Sequence, residues 1–516
     1  MVLLKKNTDI GSKVKSGYLW TLLDAGLGQP MSFAAGIVLA RLLSPSDFGL
    51  MAACMIFTEV GSTLVSSGYV SGLLQKQSVS KDDLSTIFVL QLLTAGIVVL
   101  LVVSLAPLAA HFFDNKTMTS VLSILSLNVA ILAFCGVPTA IANRQLNFRL
   151  LTWTSLVELI IFGIISISLA LNGFGVWSLV IGKLLSRVCY TLLLYVKVGW
   201  RPCLHYNRDS AHSLIRISAQ FAGKNLLDDL TKNIDYFIIG NTLGISKLGF
   251  YSRAYSLMTL PVTKLSQSLG NVLFPAFSKI QDEKERLIRG MLKSTTLISM
   301  TIFPLLTCLI LVAPVLIPLV YGVKWSPTII PLQILCLAGL IYTVDSPAVA
   351  LINAKGLLTD EIKRQILHLI LLVTGIIVGT RWGLAGVAWG VTGAAFIYWL
   401  LLLQLLKKRV DLSLRFYLDS LIPAVSGSVI MALCTLGSQH ITQRYFPGNS
   451  IMFLINSILA AGFAYTLTLI TVRHFIKKPS VTEAYVEIEG FLVKLIHPLI
   501  KILPLKLKGI WQSMYR

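Results

Sequence analysis

Five ionisable residues lie within twelve positions of a chain that is otherwise rich in apolar side chains; they are Lys224, Asp228, Asp229, Lys232 and Asp235. On a helix with about 100° per residue, all of them except Asp229 share one face, within an arc of about 80°. Each charge at the centre of a bilayer costs roughly 2.5–3.5 kcal/mol, so this stripe must face water or partners. We expect the lysines to bind an anionic headgroup, and the aspartates to hold them in place while the site is empty.

Gln220 lies one turn before Lys224, flanks this stripe and is included in the predicted substrate site. A purely structural alternative also fits the spacing, because Lys224–Asp228 and Asp228–Lys232 are i,i+4 pairs that stabilise a helix. Charge inside a membrane span nevertheless indicates function more often than packing.

The next apolar stretch adds two cations and a proline. Lys264 lies deep within it and is a further candidate for binding the substrate. Arg253 is also a candidate, but it lies close to one end, where its long side chain could equally snorkel to the surface. Pro261 removes a backbone hydrogen bond and therefore predicts a kink or hinge between the two cations.

Two carboxylates in the first two apolar stretches are candidates for ion coupling. Asp24 and Gln29 lie in a segment with two glycines and a proline, which predicts a helix that bends during transport. Glu59, in the second stretch, is a similar candidate. Asp345, by contrast, lies alone beside Pro347 and indicates no role.

The composition indicates that these residues belong to a polytopic membrane protein. The chain has 516 residues, of which 55% are hydrophobic and 13% charged, and its mean hydropathy is +0.78. Its net charge of +21 does not indicate a nucleic-acid partner, because the basic residues lie in short loops between apolar spans. The seven cysteines have neither metal-ligand nor disulfide-framework spacing, so no metal or cofactor is predicted.

The hydropathy pattern predicts an all-α fold of about fourteen transmembrane helices. Lysine and arginine are about four times as numerous in the loops on the side of the N-terminus as in the loops on the opposite side. This asymmetry predicts cytoplasmic N- and C-termini. The predicted spans are residues 18–40, 48–73, 85–110, 119–142, 153–171, 175–196, 217–243, 249–276, 291–320, 328–352, 365–382, 384–406, 417–438 and 450–472.

The chain also contains an internal repeat at an offset of about 200 residues, which predicts two parallel six-helix lobes around a central cavity. The predicted organisation is a first lobe of helices 1–6 (residues 1–200), a second of helices 7–12 (201–409), helices 13–14 (410–472) and a basic amphipathic cytoplasmic tail (473–516). The matched residues are Leu43, Ser46 and Gly49 with Leu243, Ser246 and Gly249.

Three segments carry a resemblance to a known family: residues 249–283 (GFYSRAYSLMTLPVTKLSQSLGNVLFPAFSKIQDE), 39–52 (LARLLSPSDFGLMA) and 172–182 (NGFGVWSLVIG). They resemble segments of bacterial polysaccharide exporters, in the polysaccharide-transporter branch of the multidrug/oligosaccharidyl-lipid/polysaccharide (MOP) flippase superfamily, near colanic-acid and teichuronic-acid exporters. The resemblance implies a central cavity lined by spans 1, 2, 7 and 8.

The resemblance further implies a flippase of the inner membrane that translocates undecaprenyl-diphosphate-linked oligosaccharide by alternating access. Members use cationic cavity residues for the diphosphate, and this role is carried over to Lys224, Lys232 and Lys264. The expected partners are the lipid-linked oligosaccharide, membrane lipids and polysaccharide polymerase machinery.

Two alternatives remain open. One is a cation-coupled small-molecule exporter of the same superfamily, which Asp24 and Glu59 would serve. The other is a membrane glycosyltransferase or polymerase, although every outer loop is short for such an enzyme. The sequence contains no P-loop, HExxH or nucleophile-elbow motif, and we expect a transporter rather than an enzyme.

Overall fold

A computed structural model describes residues 20, 24–76, 79–446 and 448–475, and every regular element in this part of the chain is helical. The α-helices are α1 Gln29–Leu42, α2 Pro45–Ser62, α3 Gly68–Gln75, α4 Lys81–Phe112, α5 Thr117–Leu125, α6 Leu127–Arg144, α7 Phe148–Leu171, α8 Val176–Val198, α9 Arg208–Thr242, α10 Ile245–Lys279, α11 Lys284–Val320, α12 Ile329–Ala354, α13 Leu358–Gly379, α14 Gly383–Leu405, α15 Leu414–Tyr445 and α16 Ser450–Phe475.

Short turns of other helical types interrupt this series. π-Helical turns cover Asp24–Gly28, Thr63–Ser67 and Leu406–Val410, and 3₁₀ turns cover Val323–Thr328 and Thr380–Trp382. A π turn adds a residue to the helical repeat and redirects the side chains that follow, and such turns are frequent at functional sites.

Each of the fourteen predicted spans overlaps a helix. Ten stretches of the described residues are long and apolar enough to cross a membrane, and one of them, Leu358–Val410, contains both α13 and α14. The first, seventh and eighth predicted spans are not among these stretches, so the exact number of membrane crossings stays a prediction. The predicted tail lies outside the described residues from residue 476 onward.

Local sequence signals explain where α2 and α4 begin. The Ser44 hydroxyl accepts a hydrogen bond from the backbone N–H of Asp47, whose carboxylate accepts one from the Ser44 N–H. Ser80 and Asp83 form the same reciprocal capping box at α4. Each box satisfies backbone donors that the first helical turn leaves unpaired.

The chain forms two compact units, each with its own buried core. The first has a cluster around Leu73, Ile87 and Phe88, and the second has one around Met291 and Tyr417. The first unit is Met1–Arg253, Val320–Thr328 and Ile376–Val387, and the second is Ala254–Leu319, Ile329–Gly375 and Ala388–Arg516.

The helix surfaces are apolar where a membrane would contact them. On α4, Ile97, Leu100 and Leu108 are 65%, 70% and 66% exposed. Side chains this apolar and this exposed are stable against lipid rather than water, as expected for a multi-pass membrane protein.

The two matched repeat segments cross at their equivalent glycines. A Cβ on Gly49 would lie 1.9 Å from the carbonyl oxygen of Ile245, and a Cβ on Gly249 would lie 1.9 Å from that of Pro45. Pro45 and Ile245 are also separated by the repeat offset, so the contact is reciprocal. Only glycine permits this approach of the two backbones, and the starts of α2 and α10 are thereby fixed against each other.

Candidate functional site

The buried carboxylate of the stripe joins α9 to α10. Asp235 is 3% exposed, and its Oδ2 accepts a hydrogen bond of 2.9 Å from the hydroxyl of Tyr251. Its Oδ1 accepts one of 2.8 Å from the backbone N–H of Tyr236. A buried carboxylate needs such donors, because an unpaired one would be costly at this depth.

A second polar contact joins α9 to α2 and to the π turn that follows α2. The hydroxyl of Thr63, the first residue of that turn, donates to Asp229 Oδ2. One turn further along α9, the Asn233 amide donates to Glu59 Oε2 at 3.3 Å and to the backbone oxygen of Asp229 at 3.0 Å. The two side-chain contacts therefore bring the carboxylates of Glu59 and Asp229 to the same part of the unit.

Two lysines lie near the Glu59 carboxylate. The Glu59 carboxylate interacts electrostatically with Asp229 and with the ammonium groups of Lys183 and Lys232. On α7 and α8, Arg187 Nε lies 3.4 Å from Glu158 Oε1. The first unit thus contains a mixed-charge network, in which carboxylates and cations partly neutralise one another.

A cavity of about 880 Å³ lies beside this network, between α2, α4 and α9. Its wall is mostly apolar, and Asp229 and Asn233 contribute to it. Tyr69 and Thr94 add two hydroxyl groups, whose oxygens lie 3.1 Å apart. The cavity therefore offers an apolar ligand a long contact surface with a few polar groups at one wall.

Arg253 lies in a different setting, on α10 in the first unit. Its guanidinium carbon lies 3.8 Å from the ring centroid of Phe48, and Tyr236 and Tyr321 interact with it electrostatically. Phe48 in turn packs edge-on against Trp325, with 5.5 Å between ring centroids. Within the described ranges no carboxylate pairs with this guanidinium and no hydrogen bond reaches it. Its donors are therefore free for an anion.

The predicted site residues fall into different surroundings. Lys232 is exposed whereas Asp235 is buried, so these two members of the predicted stripe do not share one environment. Gln29 begins α1 and is half-buried, and Pro261 is half-buried within α10. Asp24 belongs to the π turn before α1. The side chains that lie outside the described part of the structure are those of Asp24, Gln220, Lys224, Asp228 and Lys264.

Sequence reasoning missed three residues that contribute to these sites. Thr63 reaches Asp229 from a π turn, for which the sequence contains no pattern. Asn233 could have been found, since it lies one helical turn after Asp229. Phe48 is an ordinary apolar position until α10 brings Arg253 to it. Among the described residues no three His, Cys, Asp or Glu side chains are arranged to hold a metal ion.

The sequence is similar to known proteins over most of its length. The family described as "Polysaccharide biosynthesis protein" matches residues 38–330. The lipopolysaccharide biosynthesis protein WzxC of Escherichia coli (strain K12) is 27% identical over 380 residues, which are 71% of this chain and 75% of that protein. The teichuronic acid biosynthesis protein TuaB of Bacillus subtilis (strain 168) is 23% identical over 465 residues, 89% of this chain and 96% of that protein.

Solved structures share the fold. The lipid II flippase MurJ in an inward closed conformation has a TM-score of 0.72 and 16% identity, covering 90% of this chain and 99% of that one. An inward-facing multidrug resistance MATE family transporter of the MOP superfamily has a TM-score of 0.62 and 14% identity, covering 77% of this chain and 98% of that one. The predicted all-α fold is confirmed.

Proposed function

The chain belongs to the family of polysaccharide biosynthesis proteins, and on this premise we propose that it is a flippase for a lipid-linked oligosaccharide. The substrate is an oligosaccharide on undecaprenyl diphosphate, moved from the inner to the outer leaflet by alternating access. Relatives named for lipopolysaccharide and teichuronic acid biosynthesis support this proposal, and so does the fold shared with a lipid II flippase.

The observation that carries the proposal is the free guanidinium of Arg253. A diphosphate presents several anionic oxygens, and a guanidinium donates two parallel hydrogen bonds to such a group. Arg253 has an aromatic ring to hold it and no carboxylate among the described residues to neutralise it. Lys224, Lys232 and Lys264 are proposed to supply further positive charge, and Asp228 to position these cations. Asp235, whose carboxylate is held by Tyr251, is proposed to fix α9 against α10 at this site.

The setting of this activity is also part of the proposal. We expect the protein in the inner membrane with both termini in the cytoplasm, where the excess of lysine and arginine in one set of loops favours them. The division into lobes at residues 1–200 and 201–409 is likewise proposed. The chain would act as a transporter that catalyses no reaction of its own, and a polysaccharide polymerase would use its product.

The test is direct binding to the purified full-length protein. Arg253→Gln should weaken binding of a labelled undecaprenyl-diphosphate oligosaccharide by about 10- to 100-fold, because a hydrogen bond to a charged group contributes about 1.5–3 kcal/mol. The matched control is Lys247→Gln, an exposed cation six residues earlier on α10, which should bind normally. Equal binding by the two variants would remove Arg253 from the site.

The lysines are tested by export in cells. Lys224→Ala or Lys232→Ala should abolish surface polysaccharide while the amount of protein in the membrane stays unchanged. Normal export by both variants would refute their role as cationic ligands and leave Arg253 as the remaining candidate.

A second function, cation-coupled export of a small molecule, is favoured by the contact between Glu59 and Asn233 near Asp229. Half-buried carboxylates beside a hydroxyl and an amide can bind a proton or a sodium ion in turn with a substrate. In that case Glu59→Gln would uncouple transport from the ion gradient. Asp24, Gln29 and Pro261 would lie where the helices bend during transport. Binding of cationic drugs in preference to the lipid-linked oligosaccharide would favour this function, and translocation that continues after collapse of proton and sodium gradients would exclude it.

A further inference from the structure

A basic pocket lies in the second unit, far along the sequence from the residues considered above. It has a volume of about 310 Å³ and lies between α13 and α14. Four cations line it, namely Lys363, Arg364, Lys408 and Arg409, with Asp360 as the one carboxylate in the lining. We propose that this pocket binds the phosphate headgroup of an anionic phospholipid.

The two arginines are held in place by carboxylates. Arg364 is 5% exposed and binds the carboxylates of Asp345 and Glu361 at 2.6 and 2.9 Å. Arg409 Nε binds Asp360 at 2.8 Å. These pairs neutralise the arginines in part and fix one wall of the pocket, so a phosphate would meet a preformed surface.

The two lysines carry the uncompensated charge. Lys363 and Lys408 are exposed, and neither makes an ion pair with any described residue. Lys408 and Arg409 belong to the π turn Leu406–Val410, which ends α14. This turn breaks the regular helical spacing where the cations reach the pocket, and such distortions are frequent at ligand sites.

The surroundings of the pocket favour a lipid over a soluble anion. Leu367 and Leu401 line the pocket beneath the cations. Ile370, three residues after Leu367, and Ile397, four residues before Leu401, continue the same helix faces and are 54% and 42% exposed. A phosphate bound by the lysines would thus leave its acyl chains against an exposed apolar surface, as in basic pockets that bind anionic lipids between membrane helices.

The experiment uses the full-length protein in zwitterionic detergent and measures lipid retention by native mass spectrometry. The double variant K363Q/K408Q should retain phosphatidylglycerol about tenfold less well than the unaltered protein, since each surface cation adds to anionic-lipid binding. The control K279Q/K407Q removes two exposed lysines outside the pocket and should retain phosphatidylglycerol normally. Phosphatidylcholine retention should be weak and equal in all three proteins.

Inorganic phosphate and a charge-preserving variant complete the design. K363R/K408R should retain phosphatidylglycerol, which separates loss of charge from loss of fold. Equal retention by K363Q/K408Q and its control would overturn the proposal. Displacement of phosphatidylglycerol by millimolar inorganic phosphate would assign the pocket to a soluble anion instead and would also overturn it.

Discussion

Two arginines, one in each compact unit, lie at the same distance from an aromatic ring and have opposite surroundings. The guanidinium carbon of Arg253 lies 3.8 Å from the ring centroid of Phe48, and that of Arg364 lies 3.8 Å from the ring centroid of Tyr398. Arg364 additionally makes hydrogen bonds to two carboxylates. Arg253 has neither an ion pair nor a hydrogen bond to the described residues.

The difference separates a structural cation from one that is free to bind a ligand. The donors of Arg364 are used by its own unit, and Tyr398 donates a further hydrogen bond to Glu361. Removal of Arg364 therefore leaves the carboxylates of Asp345 and Glu361 without their cation, and its main contribution is to stability. The donors of Arg253 are unused, so its contribution is expected in ligand binding.

The largest effect is expected from Arg364→Met. Because the buried Glu361 and the partly buried Asp345 would lose their cation, the free energy of unfolding should fall by about 3–5 kcal/mol. Denaturant unfolding in detergent measures it. The control is Arg409→Met, which breaks the half-exposed pair with Asp360 and should cost at most about 1 kcal/mol. Equal losses of unfolding free energy in the two variants would show that the ion pairs of Arg364 contribute no more to stability than the exposed pair of Arg409.

An intermediate effect is expected at Asp235, a buried carboxylate that accepts a hydrogen bond from a tyrosine hydroxyl and pairs with no cation among the described residues. Tyr251→Phe removes the hydrogen bond to the buried Asp235 and should lower the free energy of unfolding by about 1.5–3 kcal/mol. The control is Tyr445→Phe, since the Tyr445 side chain is 70% exposed. An unchanged stability in Tyr251→Phe would show that Asp235 does not depend on this donor.

A smaller effect is expected from the ring beneath the free arginine. Phe48→Leu removes the cation–π contact and should weaken binding of the lipid-diphosphate oligosaccharide about threefold to tenfold, because the ring of Phe48 contacts and orients Arg253. Phe48→Tyr keeps the ring and should bind as the unaltered protein does. Binding that is insensitive to both substitutions would mean that Arg253 needs no orientation by the ring.

The smallest effect is expected for an exposed pair outside the spans. The ammonium of Lys284, 2.9 Å from Asp411, lowers the pKa of that carboxyl. A lowered pKa stabilises the fold fully above the pKa of the unfolded chain, and this contribution is lost as the pH falls through the lower, folded value. Lys284→Gln should therefore change the free energy of unfolding barely, if at all, at pH 7 in salt, and any change should shrink as the pH falls below the pKa of the unfolded carboxyl. A difference that grows as the pH falls would contradict this sign.

The helices were predictable and the side-chain partners were not. Long apolar runs indicate where most of these helices lie, since a membrane span needs about twenty such residues. Asp345 has no partner within its own stretch of sequence, because its partner Arg364 is 19 residues away on another helix. Helical periodicity likewise placed Lys232 and Asp235 on one face, whereas Tyr251 on α10 buries Asp235. The partners that decide burial and charge lie on neighbouring helices, which a single sequence does not order in space.

The reciprocal contact of Gly49 with Ile245, and of Gly249 with Pro45, constrains how the two repeats can change over time. Each glycine lies against the backbone of the other copy, so a side chain gained in one repeat would displace the other. After a duplication, two copies usually diverge independently. At this crossing the two copies cannot do so, because a substitution of either glycine must be compatible with the backbone of both helices.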